Sequence, residues 1–303
     1  MNLPARIEIR EVGPRDGLQA ESIFIPTEKK IELINHIIRS GIKLIESTSF
    51  VNPKAIPQLR DAEMVVAGID RSPDLTISAL VGNSRGVQRA VKARVDEVQV
   101  VVSASEEHNK RNENMSISQS LKQLEEVVPH AAQSDLVVRA AIATAFGCPF
   151  EGKIPLKQIL WLVSVFQELG IKQITLADTA GLGDPLLVTR VVEQVRANYP
   201  QVELALHFHD TRGLGLANSL AGMQSGITIL EASLGGLGGC PFIPKATGNI
   251  ATEDLIYLCE RMGVETGVNL TSLLKAAQWL ERLIGRELPG RVMKAGISGA
   301  CEY

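Results

Sequence analysis

Short aliphatic and β-branched runs recur along the 303-residue chain, each followed by a turn and then by a longer segment with apolar positions three and four apart. The short runs are 6–12 (RIEIREV), 43–49 (KLIESTS), 75–81 (LTISALV), 97–103 (EVQVVVS), 137–143 (VVRAAIA), 173–178 (QITLAD), 203–209 (ELALHFH) and 229–234 (ILEASL). The helical segments that follow them are 27–41, 57–68, 84–95, 116–133, 155–170, 184–199, 214–226 and 252–263. Strands that alternate with helices pair in parallel, because each helix carries the chain back to where the next strand begins. Eight such units predict an α/β fold, a closed (β/α)8 TIM barrel. One more helical segment, 271–285, and the tail GRVMKAGISGACEY add a C-terminal helical extension. The expected organisation is one barrel domain over residues 1–303, with its C-terminal helices and cap from about residue 255.

A barrel concentrates chemistry at the C-terminal ends of its strands. Strand one runs into GPRDGLQ, with Arg15 and Asp16; strand two carries Glu46, Ser47, Thr48 and Ser49; strand six ends in Asp178 and Thr179. Strand seven ends in LHFHDTRG. Residues two apart in a strand share a face, so His207 and His209 project together, as a metal pair requires. Strand eight leads into GGLGGCPF, which holds Cys240, and Asn249 follows. A single buried carboxylate or histidine is commonly only an ion pair or a satisfied core residue; the shared address of these groups is what marks a site.

Composition narrows the class. Apolar residues at 45% supply a core, and 4% aromatics with 26 glycines suit aliphatic strands joined by tight turns. A formal charge of −3 with only short basic runs argues against a nucleic-acid partner. Stretches such as QILWLVSVF are too short to cross a membrane. The four cysteines, Cys148, Cys240, Cys259 and Cys301, form no C-x-x-C pair, and MNLPARIEIREVG has neither a charged n-region with an apolar h-region nor an Arg-rich presequence. A reducing, cytoplasmic location is expected.

Three motifs carry competing readings. GNSRG (82–86) fits the G-x-S-x-G nucleophile elbow, but Asn83 or Ser84 serves equally as the N-cap of the helix that follows, and no HGGG-type segment precedes it. In GGLGGCPF the glycines let a loop approach a ligand, and Cys240, between Gly239 and Pro241, reads as a chemical thiol: acid, base or nucleophile. Cys259, inside a helix, reads as a small core residue. In ATGNIATEDL, Thr252 is the expected helix cap, which leaves Asn249 free as an oxygen ligand. Asp16, His207, His209 and Asn249 then form a thiolate-free set suited to Mg2+ or Mn2+, with Zn2+ also compatible.

The segments EVGPRDGLQAE, IESTSF, VPHAAQSDLVVRA, FGCPFEGKI, LADTAG, HFHDTRGLGLAN and GGLGGCPFIPKATGNIATEDL together resemble the 3-hydroxy-3-methylglutaryl-CoA lyases of the metal-dependent Claisen/retro-Claisen barrel superfamily, almost end to end. The resemblance implies that Asp16, His207, His209 and Asn249 hold the metal. It makes Arg15 the catalytic cation and Cys240 the catalytic thiol, with Glu46 and Asp178 in support. It also implies an acyl-CoA substrate, cleavage to acetyl-CoA and acetoacetate, and a homodimer. For the general base, Asp16 and His207 are the candidates. The chain departs from the family where Ala141 stands for a usual Tyr, Arg212 and Leu214 for Tyr and Gln, and Ile243 and Lys245 for small residues. These departures keep open another 3-hydroxyacyl-CoA, such as citramalyl-CoA. A condensing acyltransferase of the superfamily shares the H-x-H but lacks the thiol loop.

Overall fold

The computed structural model describes residues 2–239 and 248–297. Eight parallel strands close on themselves in sequence order: β1 (Glu8–Glu11), β2 (Leu44–Ser49), β3 (Thr76–Leu80), β4 (Glu97–Ser103), β5 (Val137–Ala143), β6 (Gln173–Asp178), β7 (Glu203–Phe208) and β8 (Ile229–Ala232). Strand β1 pairs with both β2 and β8, so no edge is left open. The expected barrel is observed.

The helices pack outside it: α1 (Thr27–Arg39), α2 (Ala62–Ala67), α3 (Ser84–Ala93), α4 (Glu106–Glu113), α5 (Ile117–Ala132), α6 (Leu156–Glu168), α7 (Pro185–Asn198), α8 (Gly215–Gln224) and α9 (Thr252–Arg261). The extension consists of α10 (Leu270–Ile284), which lies against α1 and α9, and the short α11 (Val292–Ala295). Helix α4 was not predicted. Its sequence EEHNKRNE has no apolar stripe, and the residues it buries are His108 and Asn109. Ser105 caps it by accepting from the His108 amide at 3.1 Å, so polar bonding replaces hydrophobic patterning.

Aliphatic residues fill the space between strands and helices, but the barrel interior carries a layer of buried charge. Arg10 bonds Glu97 at 2.7 Å and Gln173 at 3.0 Å. Arg139 pairs with Glu97 at 3.0 Å and with Glu231 at 3.3 Å, and donates to Ser78 Oγ at 3.3 Å. Buried ions persist only when paired in this way. The layer reaches up through Glu231 to the C-terminal end of the barrel. Among the described residues no helix is long and apolar enough to cross a membrane.

Candidate active site

The chain after β1 does not enter an ordinary turn. Residues Gly13–Gly17, GPRDG, form one turn of π-helix in which the amides of Arg15, Asp16 and Gly17 all point at the Val12 carbonyl. Such turns commonly mark functional sites, because the extra residue re-aims the side chains it carries. Here they are Arg15 and Asp16. The turn is held from behind by Glu11, whose buried carboxylate accepts from the Gly13 amide at 2.7 Å, the Leu234 amide at 2.9 Å and Thr252 Oγ1 at 2.7 Å. Burial pushes this carboxyl up to about 7, and those three bonds oppose the rise.

Thr252 is therefore not the helix cap expected of it. Ala251 occupies the N-cap of α9, and the Thr252 hydroxyl is spent on Glu11, which would otherwise lack a side-chain donor. Asn249 is nonetheless drawn into the site. Its Nδ2 donates to Asp16 Oδ2 at 2.9 Å and to the Leu237 carbonyl at 3.0 Å, while its buried Oδ1 has no partner among the described residues. Gly238 makes this possible: it sits at φ 133°, and a Cβ there would lie 2.5 Å from Asn249 Nδ2.

Asp16, His207 and His209 converge so that one ligand atom from each lies within 4.8 Å of the others, and all three are buried. The two imidazoles are 5.1 Å apart, centre to centre, and His209 Nε2 is 3.9 Å from Asp16 Oδ2. His207 is fixed by Glu231, whose Oε2 lies 3.1 Å from Nδ1, leaving Nε2 as the ligand atom. Burial would raise Glu231, but the hydrogen bond and charge of His207, with Arg139 and Arg10, hold it down at about 2. Burial, reinforced by the charge of His207, lowers His209 to about 4, so its imidazole is neutral near pH 7. Burial would lower His207, but the hydrogen bond and charge of Glu231, with Asp16, hold it above the usual imidazole range, so it binds a cation by giving up its proton. A neutral His209, an ionised carboxylate and an orphaned amide oxygen complete a set that fits a hard divalent ion.

Arg15 borders this cluster. Its Nε donates to Glu46 Oε1 and its Nη1 to Asp16 Oδ1, each at 2.7 Å. Burial works against its charge, but Glu46 and Asp16 more than restore it. Glu46 is fully buried in β2, next to a register shift toward β3 that locally bends the strand. The other residues singled out fall elsewhere. Both Asp178 oxygens accept backbone amides, from Leu182 at 2.8 Å and Gly183 at 2.9 Å, so this carboxylate closes the β6–α7 turn. Asn83 caps α3 by accepting from Gly86 at 2.9 Å, which leaves Ser84 as an ordinary first helical residue. Arg212 donates to the carbonyls of Ala180 and Gly181 at 2.9 and 3.0 Å. Cys259 is buried in α9, its thiol pushed up to about 12 by desolvation. Cys240, Ile243, Lys245 and Cys301 lie outside the described residues.

A cavity of about 360 Å3 opens above the barrel, and Arg15, Asp16, His207, His209, Glu231 and Ala141 line it. Glu11 and Glu231 escaped notice in the sequence because Glu231 is a lone acid in an apolar strand and Glu11 is one of several charged residues in β1, so neither stands out. Only the partners brought by other strands reveal their purpose.

The family model described as HMGL-like matches residues 6–280. The chain belongs to the HMGL-like family. Among curated members, the hydroxymethylglutaryl-CoA lyase YngG of Bacillus subtilis is 47% identical over 96% of this chain and 97% of its own. The human mitochondrial hydroxymethylglutaryl-CoA lyase is 40% identical over 97% of this chain and 90% of its own. A solved HMG-CoA lyase from Acinetobacter baumannii, in complex with coenzyme A and 3-methylmalate, superposes with a TM-score of 0.94 at 44% identity, covering 100% of this chain and 99% of that one. In this HMGL-like protein the Glu231–His207 bond gives a direct expectation. Glu231→Gln should weaken divalent-ion binding by about 10- to 100-fold, because the amide orients the ring without raising its basicity. Calorimetric titration checks this; unchanged affinity would mean that Glu231 serves only its structural partners, Arg139 and Thr175.

Proposed function

We propose that the protein is a 3-hydroxy-3-methylglutaryl-CoA lyase, a carbon-carbon lyase that cleaves its substrate to acetyl-CoA and acetoacetate. The observation that carries this reading is the buried Asp16–His207–His209 cluster with Arg15 beside it, in a chain of the HMGL-like family. Asp16, His207, His209 and Asn249 would hold the ion, Mg2+ or Mn2+. Such an ion, when bound, polarises substrate oxygens and eases loss of the C3 hydroxyl proton.

A base, Asp16 or His207, takes the C3 hydroxyl proton, C3 becomes the ketone carbonyl of acetoacetate, and the C2–C3 bond breaks with its electron pair passing to C2 and on to the thioester oxygen. Arg15, permanently charged and held by two carboxylates, stabilises that enolate. Cys240 then protonates C2. Glu46 orients the guanidinium, and Asp178 sets the β6–α7 turn; both are positioning residues. The same reading takes the enzyme as a cytoplasmic homodimer.

Purified, ion-loaded protein given a panel of 3-hydroxyacyl-CoA thioesters should release acetyl-CoA from 3-hydroxy-3-methylglutaryl-CoA. Release from none of them would defeat the proposal, and condensation without cleavage would favour an acyltransferase. A second reading, cleavage of another 3-hydroxyacyl-CoA such as citramalyl-CoA, is favoured by one observation: Ala141 lines the cavity with only a methyl group. Ala141→Tyr should then lower kcat/KM for the bulkier thioester while the value for 3-hydroxy-3-methylglutaryl-CoA holds or rises. A proportional fall in both would make residue 141 a packing position.

A further inference from the structure

The cavity wall away from the Asp16–His207–His209 cluster holds two polar side chains that the cleavage chemistry does not use. Gln99 lies in β4 and His108 in α4, which follows that strand, and both are buried and line the cavity. In a closed barrel ordered β1 to β8, β4 stands across the interior from β8, and β8 is flanked by β7 and β1, which lead to the cluster. The pair therefore faces the cluster across the cavity.

Each carries a buried polar atom, Gln99 Oε1 and His108 Nε2, with no hydrogen-bond partner among the described residues. Native proteins rarely leave such atoms orphaned, and two on one wall of a cavity is the arrangement expected when the partner is a ligand. The rest of the local structure holds His108 in place. Its Nδ1 meets Ser103 Oγ at 3.1 Å, and that hydroxyl meets Thr144 Oγ1 at 2.9 Å. The neighbouring Asn109 accepts from the Ser103 amide at 3.0 Å and donates to Ser120 Oγ at 2.8 Å. Burial lowers His108 to about 4, so the ring is neutral, and Ser103 can donate to Nδ1 and leave Nε2 as the N–H end. A half-turn exchanges the two ends of the Gln99 carboxamide, and with Nε2 in place of the unpaired Oε1 it too presents N–H groups to the cavity. Glu113, the acid of α4 that borders the cavity, already accepts from Asn112 Nδ2 at 2.8 Å, and burial favours its neutral form. Ala141, on the adjacent strand β5, leaves the space in front of this wall open.

We propose that Gln99 and His108 form a specificity subsite that recognises a carboxylate at the end of the acyl group remote from the thioester. The assignment rests on the lyase reading above, which places the reacting end of the substrate at the cluster. A site built to hydrogen-bond a substrate group rejects analogues that lack it far more strongly than an apolar pocket can, because the site's own polar atoms are then left unpaired.

The test pairs the best carboxylated thioester from the panel with its analogue carrying methyl for carboxylate; for 3-hydroxy-3-methylglutaryl-CoA this is 3-hydroxy-3-methylpentanoyl-CoA, whose cleavage gives acetyl-CoA and butanone. Wild-type enzyme should favour the carboxylated member in kcat/KM by on the order of 1,000-fold. His108→Phe and Gln99→Leu should each reduce that ratio at least about tenfold, chiefly through KM for the carboxylated substrate, and His108→Gln should restore part of it. A partly misfolded variant lowers both rates together and leaves the ratio unmoved. Ratios within about twofold of wild type in both variants, with the carboxylated thioester still cleaved, would overturn the subsite and spare the lyase reading. Failure of the wild type to cleave any carboxylated thioester would overturn both.

Discussion

Protein carrying Asp16→Ala is expected to lose divalent-ion binding and acyl-CoA cleavage together. Asp16 is the only acid among the three converging side chains, and two imidazoles with an amide oxygen form a weak site for a hard ion. Burial alone would raise its pKa, but Arg15, His207, His209 and the Asn249 hydrogen bond together hold it below the usual value. It is thus ionised and ready as a ligand near neutral pH. Removing an outer-shell partner typically costs 10- to 100-fold in affinity, and removing a ligand itself should cost roughly 100-fold or more. Metal content after dialysis and turnover should fall in parallel while circular dichroism stays unchanged. Chelation that strips the ion from wild-type protein yet leaves turnover intact would refute the assignment of the cluster.

Arg15→Met should lower kcat by roughly 100-fold or more with a much smaller change in KM, the pattern of an interaction made in the transition state. The guanidinium is already fixed by Glu46 and Asp16, so it needs no reorganisation when charge appears on the thioester oxygen. One complication can be anticipated. Without Arg15, the fully buried Glu46 loses its salt-bridge partner, and breaking such a pair commonly costs about 3–5 kcal/mol of stability. The double variant Arg15→Met/Glu46→Gln should recover much of that loss while kcat remains low. If kcat recovers with the fold, Arg15 is structural and the enolate needs another stabiliser.

The repeat of strand and helix, and with it the barrel, was legible in the chain because each unit writes its own local periodicity: β-branched runs for strands, three-and-four spacing for helices. The H-x-H of β7 was legible for the same reason, since alternation in a strand is a local property. Helix α4 was not, because EEHNKRNE buries polar residues that capping and side-chain bonds satisfy, and nothing apolar marks its inner face. Thr252 shows the limit most plainly. Its sequence context predicts a cap, yet a carboxylate from β1, 241 positions earlier, takes its hydroxyl. Glu11, Glu231, Gln99 and His108 share that character: nothing in the segment around each marks its role, which comes from groups that other parts of the barrel place around it. The strands of a closed parallel barrel are buried on both faces, so hydrophobic patterning cannot say which side a polar residue serves. The sequence alone therefore determined the barrel and the strand ends where chemistry collects. Only closure of the barrel decided which of those groups meet, because hydrogen bonds and ion pairs act over a few ångströms and carry no trace of their partner along the chain.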